Sequence, residues 1–302
     1  MRDQSHQLAL LQALFVTILW SSSFVFIKIG LEEVPALSFA GIRYVLASVI
    51  LWVFVFATKQ HKELKNISKP MWIRLTILGI VMYFLTQGAQ YLGLYYLSAI
   101  QVSLILNFTP LVILVFSSSM IQEKPTRNNI IGVIVFLIGI FVYVFPIGNL
   151  NGNWIGYVVM VIGLFTNSIS TMLGRSINKE KSTSPILITT ISMGIGGILL
   201  LGSGVALDGI PQMSVWMWGI ILFLALVNTA FAFTLWNRTM QVLTSVESSI
   251  INNTMLIQIA ILSWLFLNES FTLQSVISVV IVSIGVFLVQ FKKKLPSLSK
   301  TK

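Results

Sequence analysis

Of the 302 residues, 56% are hydrophobic and only 9% are charged, and the mean hydropathy is +0.91. Water-soluble folds usually carry about 25% charged residues, so this composition belongs in a bilayer, where a crossing uses ~20 apolar residues and little chain is left for a large external catalytic domain. The absence of cysteine excludes disulfides, thiolate metal sites and cysteine nucleophiles, while a net charge of +10, from 19 Lys+Arg against 9 Asp+Glu, raises the question of nucleic acid until the charges are placed.

In chain order, apolar runs of near-span length cover Leu8–Ile29, Leu37–Ala57, Trp72–Tyr91, Ala99–Ile121 and Ile130–Phe145, then Trp154–Leu173, Pro185–Leu207, Val215–Trp236, Val246–Leu267 and Leu273–Phe291. They predict an all-α membrane protein of ten transmembrane helices. The first run is too long for a signal-peptide core and lacks a small-x-small cleavage site. The connections are short and rich in turn residues, as in Glu123-Lys124-Pro125-Thr126 and Asp208-Gly209-Ile210-Pro211.

Lys and Arg near span ends are retained on the cytoplasmic side. With the N-terminus inside, seventeen of the nineteen cations fall inside, including Lys59, Lys62, Lys65, Lys69, Arg74, Arg175, Lys179, Lys181, Arg238 and the lysines of the tail. Only Lys28 and Arg43 fall outside that pattern. Both termini are therefore expected in the cytoplasm, with an anionic inner leaflet as the partner of the basic charge rather than nucleic acid.

Shifting the sequence by 146 residues places twelve of forty ungapped positions on identical residues, among them Asn107 on Asn253, Glu123 on Glu269, Thr126 on Thr272 and Gly139 on Gly285. The chain is read as two five-helix halves, residues 1–147 and 148–302. Because five is odd, the second half enters from the opposite side, giving inverted repeats of the kind that rock around a midplane site in secondary transporters.

The chain resembles the EamA family of the drug/metabolite transporter superfamily over essentially its whole length, as two tandem repeats. The residues that carry the resemblance in the first repeat are Trp20-Ser-Ser-Ser-Phe-Val-Phe-Ile-Lys28, Pro35, Arg43-Tyr44, Gly93-Leu-Tyr-Tyr-Leu-Ser-Ala-Ile100, Asn107-Phe-Thr-Pro110 and Glu123-Lys-Pro-Thr126, followed by Gly132 and Gly139. The second repeat keeps Glu269, Thr272 and Gly285 but has Leu256 where the first has Pro110. The resemblance implies a ten-helix carrier of small metabolites, often exporting amino acids, without ATP hydrolysis or a cofactor, around a cavity lined by spans 1, 3, 4, 6, 8 and 9.

Asn107 and Asn253 fall near the middle of spans 4 and 9. An amide at that depth must be paired or face a wet cavity, so the pair either lines a substrate site or glues the halves with a hydrogen bond worth ~0.6–2 kcal/mol. Pro110 removes a backbone hydrogen bond and is expected to kink span 4 and free the Leu106 carbonyl or a neighbour for a ligand or water. In span 3, Tyr83, Gln87, Gln90 and Tyr91 share one helical face, and their repeat partners Thr229, Phe233, Trp236 and Asn237 form a second polar-aromatic stripe. These suit an amphipathic metabolite, or an interfacial aromatic belt. Trp20 and Ser21-Ser22-Ser23, with Asn167 and Ser168, would complete the lining.

Lys28, Glu32, Glu33 and Arg43 form an outer charge cluster in which Arg43 is expected to pair with a glutamate, as a gate or a clamp. Glu123 and Glu269 are candidate latches that accept from helix N-termini. No charged residue is expected near the centre of a span, which leaves Glu247, paired with Arg238 or free to carry a proton, as the candidate for coupling.

The rival classes lack their residues. His6 and His61 lie outside the predicted spans, and no HExxH, GxSG or phosphate-loop motif occurs, so an intramembrane enzyme or an ATP-driven pump is not supported. A scaffold or sensor would not need polar residues on facing repeat-related helices. The sequence thus points to a monomeric or weakly dimeric carrier in a prokaryotic plasma membrane, binding a small-molecule substrate without cofactor or metal, with drug-like or lipid-like cargo as the alternative to amino acids.

Overall fold

A computed structural model describes residues 2–120, 127–144, 153–267 and 273–290, and among these every regular element is a helix. The order is α1 (Arg2–Gly30), α2 (Ala36–Ala57), a 3-10 turn (Gln60–Asn66), α3 (Lys69–Leu78), a first π segment (Gly79–Thr86), α4 (Gln87–Tyr96), α5 (Ala99–Leu106), α6 (Thr109–Met120) and α7 (Arg127–Val144). There follow α8 (Trp154–Glu180), α9 (Pro185–Asp208), α10 (Val215–Phe223), a second π segment (Leu224–Phe231), α11 (Ala232–Thr239), α12 (Ser245–Asn253), α13 (Met255–Phe266) and α14 (Leu273–Gln290). Seven rods are long and apolar enough to cross a membrane: α1, α2, α3–α4, α8, α9, α10–α11 and α12–α13. Their outward residues include Val53 and Ile198, both 66% exposed. Apolar groups in such positions suit hydrocarbon, since a spanning helix satisfies its own backbone and leaves only side chains to face lipid.

Local chemistry explains the starts of these rods. Ser68, Ser98, Ser214 and Thr244 each accept from the backbone N–H three residues on, and each satisfies a donor the first helical turn leaves orphaned. Ser98 with Gln101 and Thr244 with Glu247 complete reciprocal capping boxes. The two boxes lie 146 residues apart and open the two rods that later break.

Those breaks correct the expectation that proline causes the kink. The rod α5–α6 is interrupted at Asn107–Phe108, two residues before Pro110, and α12–α13 is interrupted at Thr254 with Leu256 in the proline position. Each opened turn is closed by a hydroxyl. Thr109 Oγ1 donates to the Leu106 carbonyl at 2.5 Å, and Thr254 Oγ1 donates to the Ile251 carbonyl at 2.7 Å. The carbonyl expected to be freed at Leu106 is therefore occupied.

The π segments were not anticipated. In each, a threonine Oγ1 donates to the carbonyl five residues back, Thr86 to Val81 and Thr229 to Leu224, both at 2.8 Å. A π turn widens the repeat beyond 3.6 residues, so the i, i+4, i+7 pattern used to place Tyr83 with Gln87 and Gln90 does not survive the segment.

Packing is closest where small residues meet backbone. On α9, a Cβ added at Gly204 would lie 2.5 Å from Ser38 N of α2, so these two helices approach to a distance only glycine allows. The helices α7 and α14 meet in the same manner, with a Cβ on Gly139 2.8 Å from Val282 N and one on Gly285 2.6 Å from Phe136 N. There Ser278 Oγ also donates to the Gly139 carbonyl at 2.6 Å. At one end of the bundle Arg74 pairs with Glu180, and Glu63 accepts from Ser184 N at 3.3 Å. At the start of α10, Glu33 accepts from the backbone N of Ser214 and, at 3.0 Å, from its hydroxyl.

Candidate functional site

A central cavity opens between α1, α2, α4, α8, α11 and the two broken rods. One wall is aromatic. Trp20 packs at a tilt against Phe233 at 4.7 Å and Trp236 at 5.0 Å, and Tyr44 meets Phe233 edge-on at 6.0 Å between ring centroids. The other wall is polar, with Gln87, Gln90, Asn107, Asn167, Asn252 and Asn253 among its residues. This pairing of aromatic surface with a few oriented amides is what an amphipathic small molecule requires.

The repeat-related asparagines meet. Asn253 Nδ2 donates to the Asn107 backbone carbonyl at 2.8 Å, and Asn107 Nδ2 turns back to the Ser103 carbonyl at 2.5 Å. Beside them Asn167 Nδ2 donates to Thr109 Oγ1 at 3.0 Å. The two asparagines bond the breaks together and also line the cavity.

Of the residues expected at the site, Trp20, Ser23, Gln87, Asn107, Asn167, Trp236 and Asn253 line the cavity. Tyr83, Tyr91, Thr229 and Pro110 do not. Tyr83 is buried against Tyr44 and Phe233, because the π segment rotates it away from the face of Gln87. Tyr91 and Thr229 stand one layer behind the wall, where they hold Arg43. Pro110 occupies the first turn of α6, where its missing N–H is harmless. Asn237 is held by Asn178 and donates to Thr189 Oγ1, both at 2.8 Å.

Arg43 is the main correction. The loop cluster with Glu32 and Glu33 does not include it: Arg43 lies seven residues into α2, about 10 Å along the axis, is 2% exposed and borders the cavity. Its Nε donates to Thr229 Oγ1 at 2.6 Å, Nη1 to Tyr91 OH at 3.0 Å, and Nη2 to Ser23 Oγ at 3.3 Å and the Asn228 carbonyl at 3.4 Å. Glu33 is engaged with Ser214, Glu32 is exposed and Lys28 is half-buried. Glu123 and Glu269 lie outside the described residues. Glu247 is 4% exposed, and the residue it meets is not Arg238 but His6, whose Nε2 lies 3.3 Å from Oε1. The amphipathic start of α1 brings His6 over the first turn of α12.

Asn228 is the residue the sequence reading missed. Fully buried in the second π segment, it donates through Nδ2 to Ser22 Oγ at 3.0 Å, Ser23 Oγ at 2.9 Å and the Leu19 carbonyl, and its own carbonyl receives Trp20 Nε1 at 3.2 Å. Its signal was available as a single amide in the apolar run Leu222–Phe233, expensive in a membrane without partners.

Comparison with known proteins gives this cavity its context. The family model described as EamA-like transporter matches residues 7–145 and again 154–291. The uncharacterized transporter YoaV of Bacillus subtilis is 21% identical over 283 residues, covering 91% of this chain and 94% of the relative. An uncharacterized transporter of Archaeoglobus fulgidus is 25% identical over 289 residues, covering 93% and 98%. The S-adenosylmethionine/S-adenosylhomocysteine transporter of Chlamydia trachomatis serovar L2 is 24% identical over 264 residues, covering 84% and 80%. A solved crystal structure superposes with a TM-score of 0.77 at 14% identity, covering 94% of this chain and 98% of its own, and so shares the fold. With both matches together spanning nearly the whole sequence, the chain is an integral membrane protein that belongs to the EamA-like transporter family.

Proposed function

We propose that the protein is a secondary carrier of ten transmembrane helices, arranged as inverted five-helix repeats over residues 1–147 and 148–302, that exports amino acids or related small metabolites by alternating access across a prokaryotic plasma membrane. The observation that carries this reading is the contact of Asn253 with the Asn107 carbonyl, which joins two broken helices beside a central cavity at positions 146 residues apart. A pair of discontinuous helices at a repeat interface is where carriers of this design bind their cargo. Further support comes from the two π segments and two capping boxes, which recur at corresponding positions of the halves. The meeting of Arg74 with Glu180 at one end, within the two basic segments, supports cytoplasmic termini by the positive-inside rule.

The aromatic wall accommodates a hydrophobic side chain, and the amides orient a polar head. The Chlamydia relative is named for two compounds that are themselves amino acids with a large ring system, which fits a wall of this kind. The test is exchange of labelled amino acids in proteoliposomes, with and without a pH gradient. Accumulation of counter-transported label supports the reading, and movement only of lipid-like or drug-like compounds would replace it. Loss of flux in Asn107→Ala and Asn253→Ala with normal membrane abundance separates a carrier from a scaffold, for which abundance alone would fall.

A further inference from the structure

Arg43 is a permanent cation with no counter-ion among the described residues. The guanidinium cannot be deprotonated in a protein, it is 2% exposed, and its four hydrogen bonds all end on neutral oxygens of Ser23, Tyr91, Asn228 and Thr229. The ion pairs of His6 with Glu247 and of Arg74 with Glu180 do not involve it. Five N–H donors against four bonds leave one Nη1 hydrogen over, on a group that borders the cavity. Removing an ion from water without a partner costs several kcal/mol, and neutral oxygens offset only part of that. Among the described residues no other charged one lines the cavity, and in particular no Asp or Glu does, so this lining is complementary to an anion rather than to a cationic drug.

The opposite polarity is present on the amide wall. Asn107 is 3% exposed, and its Oδ1 is buried without a hydrogen-bond partner, as is Oδ1 of the neighbouring Asn252. Asn107 cannot be turned around to cure this, because its Nδ2 is already committed to the Ser103 carbonyl. An orphaned buried acceptor costs ~1–3 kcal/mol, and an ammonium donor would relieve it.

Resting on the carrier reading above, we infer that Arg43 binds the carboxylate of the substrate while Asn107 Oδ1 and Asn252 Oδ1 accept from its ammonium group, so that the cargo is a zwitterionic or monoanionic amino compound. A single cation suits a single carboxylate. A phosphate dianion would call for a second, which the lining lacks. The substrate would thereby neutralise the Arg43 charge, which no described side chain matches.

The test measures counterflow of labelled L-phenylalanine, L-leucine and L-glutamine by the full-length protein in proteoliposomes, with the unlabelled free acid and its carboxamide as competitors. The free acid is expected to compete roughly tenfold to hundredfold better, the value of a charge-assisted hydrogen bond. Arg43→Gln should remove that preference, Arg43→Lys should recover part of it, and Asn107→Leu should weaken selection for a free amino group over its N-acetyl form. Equal competition by acid and amide in the wild type would overturn the inference and leave the carrier reading standing, and so would unchanged exchange by Arg43→Gln. The acid-against-amide comparison needs no variant, so it decides the matter even if Arg43→Gln does not fold. If none of the three acids exchanges while other small molecules do, the inference and the amino-acid reading fail together.

Discussion

At the break between α5 and α6 the chain carries Asn107, Phe108 and Pro110, and at the break between α12 and α13 it carries Asn253, Thr254 and Leu256. The first has a helix-breaking residue and the second has none, yet both rods open at equivalent positions. What they share is an asparagine and a threonine hydroxyl that closes a carbonyl, from Thr109 in one half and from Thr254 in the other. The interruption is thus held by polar groups that satisfy the opened backbone, and proline is compatible with it rather than its cause. The starts of the same rods differ in a more consequential way. Gln101 donates through Nε2 to Tyr157 OH at 3.1 Å, whereas Glu247 meets His6 at 3.3 Å. The first contact is uncharged, while the second sets a carboxylate against an imidazole.

Substitutions can break this correspondence or sharpen it. The largest effect is expected from Gly285→Leu or Gly139→Leu, since each would press a side chain into the backbone of the facing helix; about 3 kcal/mol of overpacking should appear as loss of folded protein in size-exclusion profiles. Asn253→Leu removes the donor that serves the Asn107 carbonyl and is expected to destabilise by ~1–3 kcal/mol, read as a lower unfolding midpoint in detergent. Thr86→Val and Thr229→Val both remove a hydroxyl that closes a π turn, at about 1 kcal/mol each. Only Thr229→Val should also impair transport, because Thr229 holds Arg43 as well.

Two further changes address the starts and breaks directly. At the start of its rod the second half carries the carboxylate of Glu247 where the first carries the uncharged amide of Gln101. Glu247→Gln should therefore flatten the dependence of exchange on a pH gradient, with Gln101→Asn leaving it intact, and an unchanged gradient dependence in Glu247→Gln would remove Glu247 from coupling. The smallest effect is expected for Pro110→Leu, which copies the second half. A shift of less than about 1 kcal/mol in the unfolding midpoint would match the intact break at Thr254, and collapse of the protein would restore proline to the central role.

Much of the architecture was legible in the sequence because a bilayer imposes strong one-dimensional rules. Apolar runs of span length located the membrane-crossing rods, and the 146-residue offset picked out Asn107 and Asn253 as a pair before any contact was known. Gln87 was placed by helical spacing, which holds wherever the helix keeps 3.6 residues per turn, Trp236 by the repeat, and Trp20 and Asn167 as residues that would complete the lining. Tyr83 escaped that logic because it lies inside the first π segment, and no residue in Gly79–Thr86 announces an i to i+5 ladder; Tyr91 shares α4 with Gln87 but is engaged by Arg43 behind the wall.

Arg43 shows the other boundary. Near the start of an apolar run, a cation reads as a loop charge seeking a glutamate, and sequence distance to Glu32 and Glu33 favours that pairing. Its actual partners come from α1, α4 and the second π segment, up to 186 residues away. Composition and periodicity determined that this chain lies in a membrane, where its helices run and which residues are doubled by the repeat, since those follow from the solvent and from local geometry. The tertiary structure alone decided which polar groups face the cavity and which charge is left unmatched there, because hydrogen-bond satisfaction in a low-dielectric interior is settled between helices rather than along them.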